Sequence, residues 1–104
     1  MAKLSAVSKK RILTILDEKI PELALLIWRK ENNCPNLPDY FKEKSADYYR
    51  GLLDGAYTQV EDMLHDNNIY CGWTAYEQKV PAQFNQGKDV TFSIKVYRRH
   101  ESLN

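Results

Sequence analysis

Residues 39–66 read DYFKEKSADYYRGLLDGAYTQVEDMLHD, and this stretch decides the fold. It contains no proline, and its apolar residues recur at the three- and four-residue spacing of an amphipathic helix. Gly51 and Gly55 lie one turn apart on the same side of that helix. A glycine inside a helix costs about 0.8–1 kcal/mol relative to alanine. We therefore expect another backbone to approach the bare surface that the two glycines share.

The third and longest predicted helix covers about residues 39–67, with Asp39 as its N-terminal cap. An unbroken helix over residues 39–66 would be about 42 Å long. That is long for so small a domain, so a kink near the glycines or a break near Ser45 is the alternative. One apolar stripe is assigned to the core: Tyr49, Leu53, Ala56, Tyr57, Val60 and Leu64. A second stripe packs on the first helix or faces another chain: Phe41, Tyr48, Leu52 and Gly55.

Two helices are predicted before residue 39. The first covers about residues 5–20 and follows the capping candidates Ser5 and Ser8. The second covers about residues 22–32, begins at Pro21, and is apolar nearly all round, which predicts burial. Residues 32–38 contain two prolines and three asparagines, a composition that ends helices.

After residue 68 the periodicity changes from that of a helix to that of a strand. Alternating residues predict antiparallel strands at about 69–78 and 89–98, with Val90, Phe92, Ile94 and Val96 on one face. A lone two-stranded hairpin is marginal in water, so its apolar face must lie on the helices. The expected fold class is α+β: three N-terminal helices followed by a C-terminal β-hairpin, in a single domain over residues 1–104.

Composition narrows the class of protein. The chain has 104 residues, of which 43% are hydrophobic, as expected for one folded domain. No apolar run approaches the length of a membrane-spanning helix, and the N-terminus lacks the pattern of a signal peptide. We therefore expect a cytoplasmic protein with no membrane association, in which Cys34 and Cys71 are reduced thiols.

Charge is unevenly distributed, although the net charge is only +1. Residues 1–50 carry ten Lys/Arg against seven Asp/Glu, whereas residues 51–89 carry two against six. The last fifteen residues carry three against one. The acidic middle is either an ordinary solvated surface or a surface that meets a basic partner.

Signatures of catalysis and cofactor binding are not found in the sequence. It has no glycine-rich phosphate loop, no nucleophile elbow and no close pair of metal ligands. We expect no enzyme activity, no catalytic residue, no metal site and no cofactor. A zinc site built from Cys34, His65, Cys71 and His100 is a remote alternative, because zinc motifs supply their ligands in close pairs. His65 is more simply a residue at the negative end of a helix.

Nucleic-acid binding is the second functional hypothesis. Basic clusters occur only near the two ends of the chain, and hairpin aromatics including Tyr70 and Tyr97 would stack on bases. The acidic middle would repel a long phosphate backbone. The residues assigned to this alternative are Lys9, Lys10, Arg11, Tyr97, Arg98 and Arg99.

Protein binding is the first functional hypothesis, and it depends on the aromatic content. Aromatic residues make up 12% of the chain, including seven tyrosines and two tryptophans. Tyrosine and tryptophan suit interfaces because they bury a large area and keep a polar tip. The residues assigned to protein binding lie on the long helix and the hairpin: Tyr40, Tyr48, Gly51, Leu52, Gly55, Trp73 and Tyr76.

The segment YYRGLLDG at residues 48–55, with the acidic continuation QVED at 59–62, resembles the central helix of small accessory proteins encoded by tailed bacteriophages and prophages. The resemblance covers about a quarter of the chain. It implies a non-enzymatic protein that binds a host or phage macromolecule in a bacterial cytoplasm, for example a counter-defence inhibitor of a host factor. A homodimer is a further expected use of the same surface.

Overall fold

The computed structural model describes residues 5–34, 37–69 and 72–98. Its elements are helix α1 (Ala6–Thr14), a π-helical segment (Ile15–Lys19), α2 (Ile20–Glu31), α3 (Asp39–Lys42), α4 (Ala46–His65), strand β1 (Trp73–Lys79), α5 (Ala82–Asn85) and β2 (Thr91–Tyr97). The fold class is α+β with a C-terminal antiparallel hairpin, which confirms the class predicted from the sequence. Within the described ranges, no helix is both long enough and apolar enough to cross a membrane.

The first two predicted helices form one continuous helical rod. Lys19 and Ile20 both have helical backbone angles, so the rod does not stop before Pro21, where the sequence predicts a boundary. The N–H of Ile20 donates to the carbonyl of Ile15, five residues back. This wider π-helical turn accommodates Pro21, which has no N–H and would disturb an ordinary α-helical turn.

The long predicted helix is divided at Ser45, the alternative break that the sequence offers. Ser45 has extended backbone angles (φ −73°, ψ 165°), and its Oγ accepts a hydrogen bond from the N–H of Tyr48 at 3.3 Å. From there α4 continues through Gly51 and Gly55 to His65 as one helix. The glycines therefore do not interrupt the helix.

The hairpin pairs β1 with β2 in antiparallel register, from Trp73 opposite Tyr97 to Lys79 opposite Thr91. Both strands begin a few residues later than predicted. The connection between them contains the short helix α5, and it turns where Gln86 and Gly87 adopt positive φ angles of 58° and 77°. Residues 70 and 71, which belong to the first predicted strand, lie outside the described ranges.

The core lies where α4 packs on α2 and on the hairpin. The stripe assigned to the core is confirmed, because five of its six residues are buried and Leu53 packs against all three buried clusters. Arg50 of α4 contacts Glu31 at the end of α2, so the two helices run antiparallel. Phe92 and Ile94 of β2 pack against Ala24 of α2. The helices therefore cover the apolar face of the hairpin, as its marginal stability requires.

Candidate functional site

One exposed side of α4 carries four of the residues predicted to bind protein. We call it the α4 outer face and define it as Tyr48, Gly51, Leu52 and Gly55. Tyr48 is 46% exposed and Leu52 is 43% exposed, and both glycines are exposed. At 100° per residue the two glycines and Tyr48 point away from the buried stripe, while Leu52 borders it. The second apolar stripe therefore faces solvent along most of its length.

Among the described residues, the surface shared by Gly51 and Gly55 is open, so the backbone expected to approach it is not a described segment of this chain. A Cβ atom added at either glycine would meet no described atom within 4 Å. The expectation failed because helix propensity shows that a glycine is costly without showing which molecule approaches it. Within the described part of the chain, no close contact at the two glycines accounts for that cost.

Tyr40 extends the exposed aromatic surface from the α4 outer face onto α3. Its ring is 67% exposed and its centroid lies 4.3 Å from that of Phe41. Phe41 contacts Tyr49 at 5.7 Å, and Tyr49 contacts Tyr48 at 5.1 Å. Burial raises the pKa of the Tyr49 phenol, and the neighbouring Tyr48, Glu43 and Tyr40 raise it further. The four rings thus form one row with a buried member, Tyr49, between exposed ends.

An apolar groove adjoins the α4 outer face on the side of α2. Its volume is about 380 Å³, and it is lined in part by Leu23, Leu26, Phe41 and Leu52. Leu52 therefore belongs both to the exposed helix surface and to this groove. The apolar surface available to a partner extends beyond α4 itself.

The hairpin residues predicted to bind protein do not share this surface. Trp73 is half-buried, its indole N–H donates to Glu61 at 2.5 Å, and its ring contacts Tyr57 at 5.1 Å. Trp73 is thus held in the fold by contacts with α4. Tyr76 is 53% exposed on β1, on the sheet face that it shares with Ile94. The predicted set of seven residues is therefore divided between a helix surface and a hairpin surface.

The residues of the nucleic-acid hypothesis are only partly available. Tyr97 is 3% exposed and packs in the core, which corrects its predicted role, because a buried ring cannot stack on a base. Arg98 is exposed, and its Nε donates to Oγ1 of Thr74 at 3.0 Å. The three basic residues Lys9, Lys10 and Arg11 lie on α1. Arg99 and Tyr70 lie outside the described ranges.

Potential metal ligands are not clustered among the described residues. No group of three or more histidine, cysteine, aspartate or glutamate side chains there could hold an ion. His65 is exposed in the last turn of α4. Two of the four residues of the zinc alternative, Cys71 and His100, lie outside the described ranges.

A larger groove, which the sequence does not predict, runs between α2, α4 and the hairpin. Its volume is about 590 Å³, and its lining includes Trp28, Leu53 and Tyr57 together with part of β2. Glu31, Arg50, Asp54 and Lys95 also line it. The groove combines an apolar floor with charged groups, which is the general character of binding sites in proteins.

The comparisons with known proteins add no relative to this description: no protein-family model, no curated protein and no solved structure matches the chain.

Proposed function

We propose that this chain is a small non-enzymatic module that binds another protein through the α4 outer face and Tyr40. The observation that supports the proposal best is the open surface over Gly51 and Gly55. Two glycines inside a helix cost about 2 kcal/mol together relative to alanine. A partner backbone packed against this surface would supply a contact that favours glycine at both positions.

The residues around the glycines favour the same proposal. Among the described residues, three of the five exposed large hydrophobic side chains lie on α3 and α4: Tyr40, Tyr48 and Leu52. A glycine surface bordered by tyrosine and leucine lets a partner backbone come close while the flanking side chains bury apolar area. Tyrosine is among the residue types that contribute most of the binding energy in many protein interfaces.

The class of partner rests on the sequence resemblance alone. We propose a host or phage protein in a bacterial cytoplasm, with inhibition of a host factor as the biological outcome. A second copy of the chain is the alternative occupant of the same surface.

Affinity capture from bacterial lysate tests the proposal through matched variants. Gly51→Ala combined with Gly55→Ala adds two methyl groups to the glycine surface, and Tyr48→Ala removes a ring at its border. Val7→Ala serves as the control. Val7 lies on α1, a different helix, and its side chain is 71% exposed. We expect the control to capture a partner as the unmodified chain does. The other variants should retain at least about tenfold less of the partner. That decrease is equivalent to a loss of about 1.4 kcal/mol in binding free energy.

Other outcomes of the same experiment would change the conclusion. A partner that is captured equally by all variants would contradict the α4 outer face as the binding site. A doubled mass in solution that the glycine variant abolishes would identify a second copy as the partner. Binding of purified nucleic acid with a steep salt dependence, lost on replacing Lys9, Lys10 and Arg11, would favour the nucleic-acid hypothesis instead.

A further inference from the structure

The groove of about 590 Å³ runs along β2, which within the described residues pairs with β1 alone and so has one free edge. Four consecutive residues of the strand line it: Phe92, Ser93, Ile94 and Lys95. Successive side chains of a strand point to opposite faces, so a groove on one face alone would touch every second residue. Contact with four residues in a row therefore shows that the groove touches the backbone of β2 as well as side chains on one face; Ala75 of β1, opposite Lys95, also lines it.

The hydrogen-bond register shows which backbone groups of β2 point to its free edge. Val80 N–H donates to the carbonyl of Val90 at 2.9 Å, and Arg98 N–H donates to the carbonyl of Gly72 at 3.3 Å. In an antiparallel ladder the residues of a strand alternate between pointing at the partner strand and pointing away. Since Val90 and Arg98 point at β1, the odd-numbered residues of β2 point away from it. Ser93 is the odd-numbered residue in the middle of the strand.

The contact between Lys95 and Tyr57 agrees with this assignment and sets one end of the open edge. The backbone N–H of Lys95 donates to the phenolic oxygen of Tyr57 on α4 at 3.0 Å. It therefore points away from β1, as the register requires. The outward N–H of Lys95 is already bonded to Tyr57. Thr91 and Ser93 come earlier in the strand, and their outward N–H and C=O groups form the rest of this edge.

The floor and rim of the groove define the chemistry of an occupant. Ile27, Trp28 and Leu53 supply an apolar floor beside the strand edge. At the rim, Arg50 already pairs with Glu31 and Asp47, each at 2.5 Å. Asp54 lies one helical turn after Arg50 and also lines the groove. Of the charged groups that line the groove, the carboxylates of Glu31 and Asp54 are matched in number by the cations of Arg50 and Lys95.

We infer that this groove binds an extended peptide segment of another protein, which adds to the free edge of β2 as a third strand. Its backbone pairs with Thr91 and Ser93, and its alternate apolar side chains lie on the floor formed by α2 and α4. This site is separate from the α4 outer face, so its test is independent of the function proposed above.

A peptide fits this groove better than the other occupants do. The N–H and C=O groups along a strand edge are the complement of another extended backbone. A nucleic acid has no row of alternating N–H and C=O groups at strand spacing, so it cannot continue the ladder of β2. The groove also has an apolar floor. An extended peptide can bury every second side chain against it, because successive side chains of a strand point to opposite faces.

Titration by NMR with a synthetic probe tests the inference. The probe is a peptide of about eight residues that alternates valine with threonine and carries a lysine at each end. A second probe has the same sequence but is N-methylated on alternate residues, so its bonding edge lacks N–H donors. We expect the first probe to shift the amide signals of Thr91 and Ser93 and the indole signal of Trp28 at concentrations of about 1 mM or below. The N-methylated probe should bind at least about tenfold more weakly.

Two proline variants test which outer edge of the hairpin, that of β2 or that of β1, pairs with the probe. Ser93→Pro removes an outward N–H from β2 and leaves the bonds to β1, since proline is tolerated at outward-facing strand positions. Glu77→Pro does the same on the outer edge of β1, because Glu77 lies opposite Ser93. We expect only Ser93→Pro to weaken binding of the probe. If Ser93→Pro fails to fold, the N-methylated probe still decides between strand addition and contacts through side chains alone.

Two results would overturn the inference. One is the absence of saturable shifts at Thr91, Ser93 and Trp28 with the first probe. The other is equal binding of the two probes, which would show that the groove takes side chains without backbone pairing. Saturable binding of a single-stranded oligonucleotide at the same amides, with no response to the peptide, would replace the peptide by a nucleic acid as occupant.

Discussion

The phenolic oxygen of Tyr57 accepts a hydrogen bond from the backbone N–H of Lys95 at 3.0 Å. This contact joins the middle of α4 to the outer edge of β2, 38 residues later in the chain. The ring of Tyr57 is buried and also contacts that of Trp73 at 5.1 Å. One side chain therefore connects the helical layer with both strands of the hairpin.

Replacing Tyr57 with phenylalanine isolates the hydrogen bond from the packing. The ring is kept, but the half-buried N–H of Lys95 loses its acceptor. We expect Tyr57→Phe to lower the free energy of unfolding by about 1–2 kcal/mol, the cost of an unsatisfied polar group. Chemical denaturation at neutral pH measures it. Tyr76→Phe, which changes an exposed tyrosine on β1, should change stability little, and an equal loss in both variants would contradict the role of the bond.

Alkaline pH should destabilise the fold through the same residue. Burial raises the pKa of Tyr57 above its ordinary value of 10.0 and Asp54 adds to the effect, although the N–H of Lys95 acts in the opposite direction. Because the folded-state pKa is the higher one, the folded state keeps its proton when the unfolded state has lost it. The stabilisation is present below pH 10 and is lost as pH rises through the folded-state pKa.

Denaturation curves at pH 7 and at about pH 11 test this dependence. We expect a loss of stability in the unmodified chain and a smaller loss in Tyr57→Phe. Tyr49, whose pKa is also raised by burial, contributes to the remainder, so Tyr49→Phe combined with Tyr57→Phe should reduce the loss further. Identical pH dependence in all three proteins would refute the assignment.

On the hairpin, Glu77 accepts hydrogen bonds from the hydroxyl groups of Ser93 and Thr91 across the strands. These two bonds hold the pKa of its carboxyl below the ordinary value of 4.5, with Ser93 the larger cause. The stabilisation from Glu77 is therefore present above pH 4.5 and is lost as pH falls through the folded-state pKa. We expect Ser93→Ala combined with Thr91→Val to return the pKa to about 4.5.

Carboxyl titration by NMR measures the pKa of Glu77 directly. Thr74→Ala is the matched control, because Thr74 bonds to Arg98 and not to Glu77. That variant should leave the titration of Glu77 where it is. If the Ser93 and Thr91 variant does not raise the pKa, the cross-strand hydroxyl groups are not its cause.

Local patterns predicted the helices and their buried side well. The stripe from Tyr49 to Leu64 was recognisable because a helix repeats every 3.6 residues, and the buried residues follow that period. Ser45 was recognisable as a break because a serine before a helix can cap it. Such features depend on neighbours in sequence, and a single sequence contains that information.

The features that depend on contacts between distant segments were harder to predict from the sequence. Pro21 is a normal signal for a helix start, yet the rod continues because a π-helical turn accommodates it. Strand alternation predicts that Tyr97 lies on the face opposite Val96, away from the apolar face, whereas its ring packs in a buried cluster that includes Ile12 on α1. The groove beside β2 forms only when α2, α4 and the hairpin come together. No local period encodes that arrangement.

The glycines of α4 allow a prediction in which stability and binding change in opposite directions. A Cβ atom at either position would have no neighbour within 4 Å among the described residues, so alanine fits at both without a clash. We expect Gly51→Ala and Gly55→Ala each to raise the free energy of unfolding by about 0.8–1 kcal/mol, because alanine favours a helix. Gly87 also has open space but a φ of 77°, so Gly87→Ala should lower stability by about 1–2 kcal/mol. Thermal and chemical denaturation measure the free energy of unfolding of all three variants.

A loss of stability in the α4 variants would mean that an internal contact occupies the glycine surface. A gain accompanied by loss of partner capture would mean that the glycines serve binding at the expense of the fold.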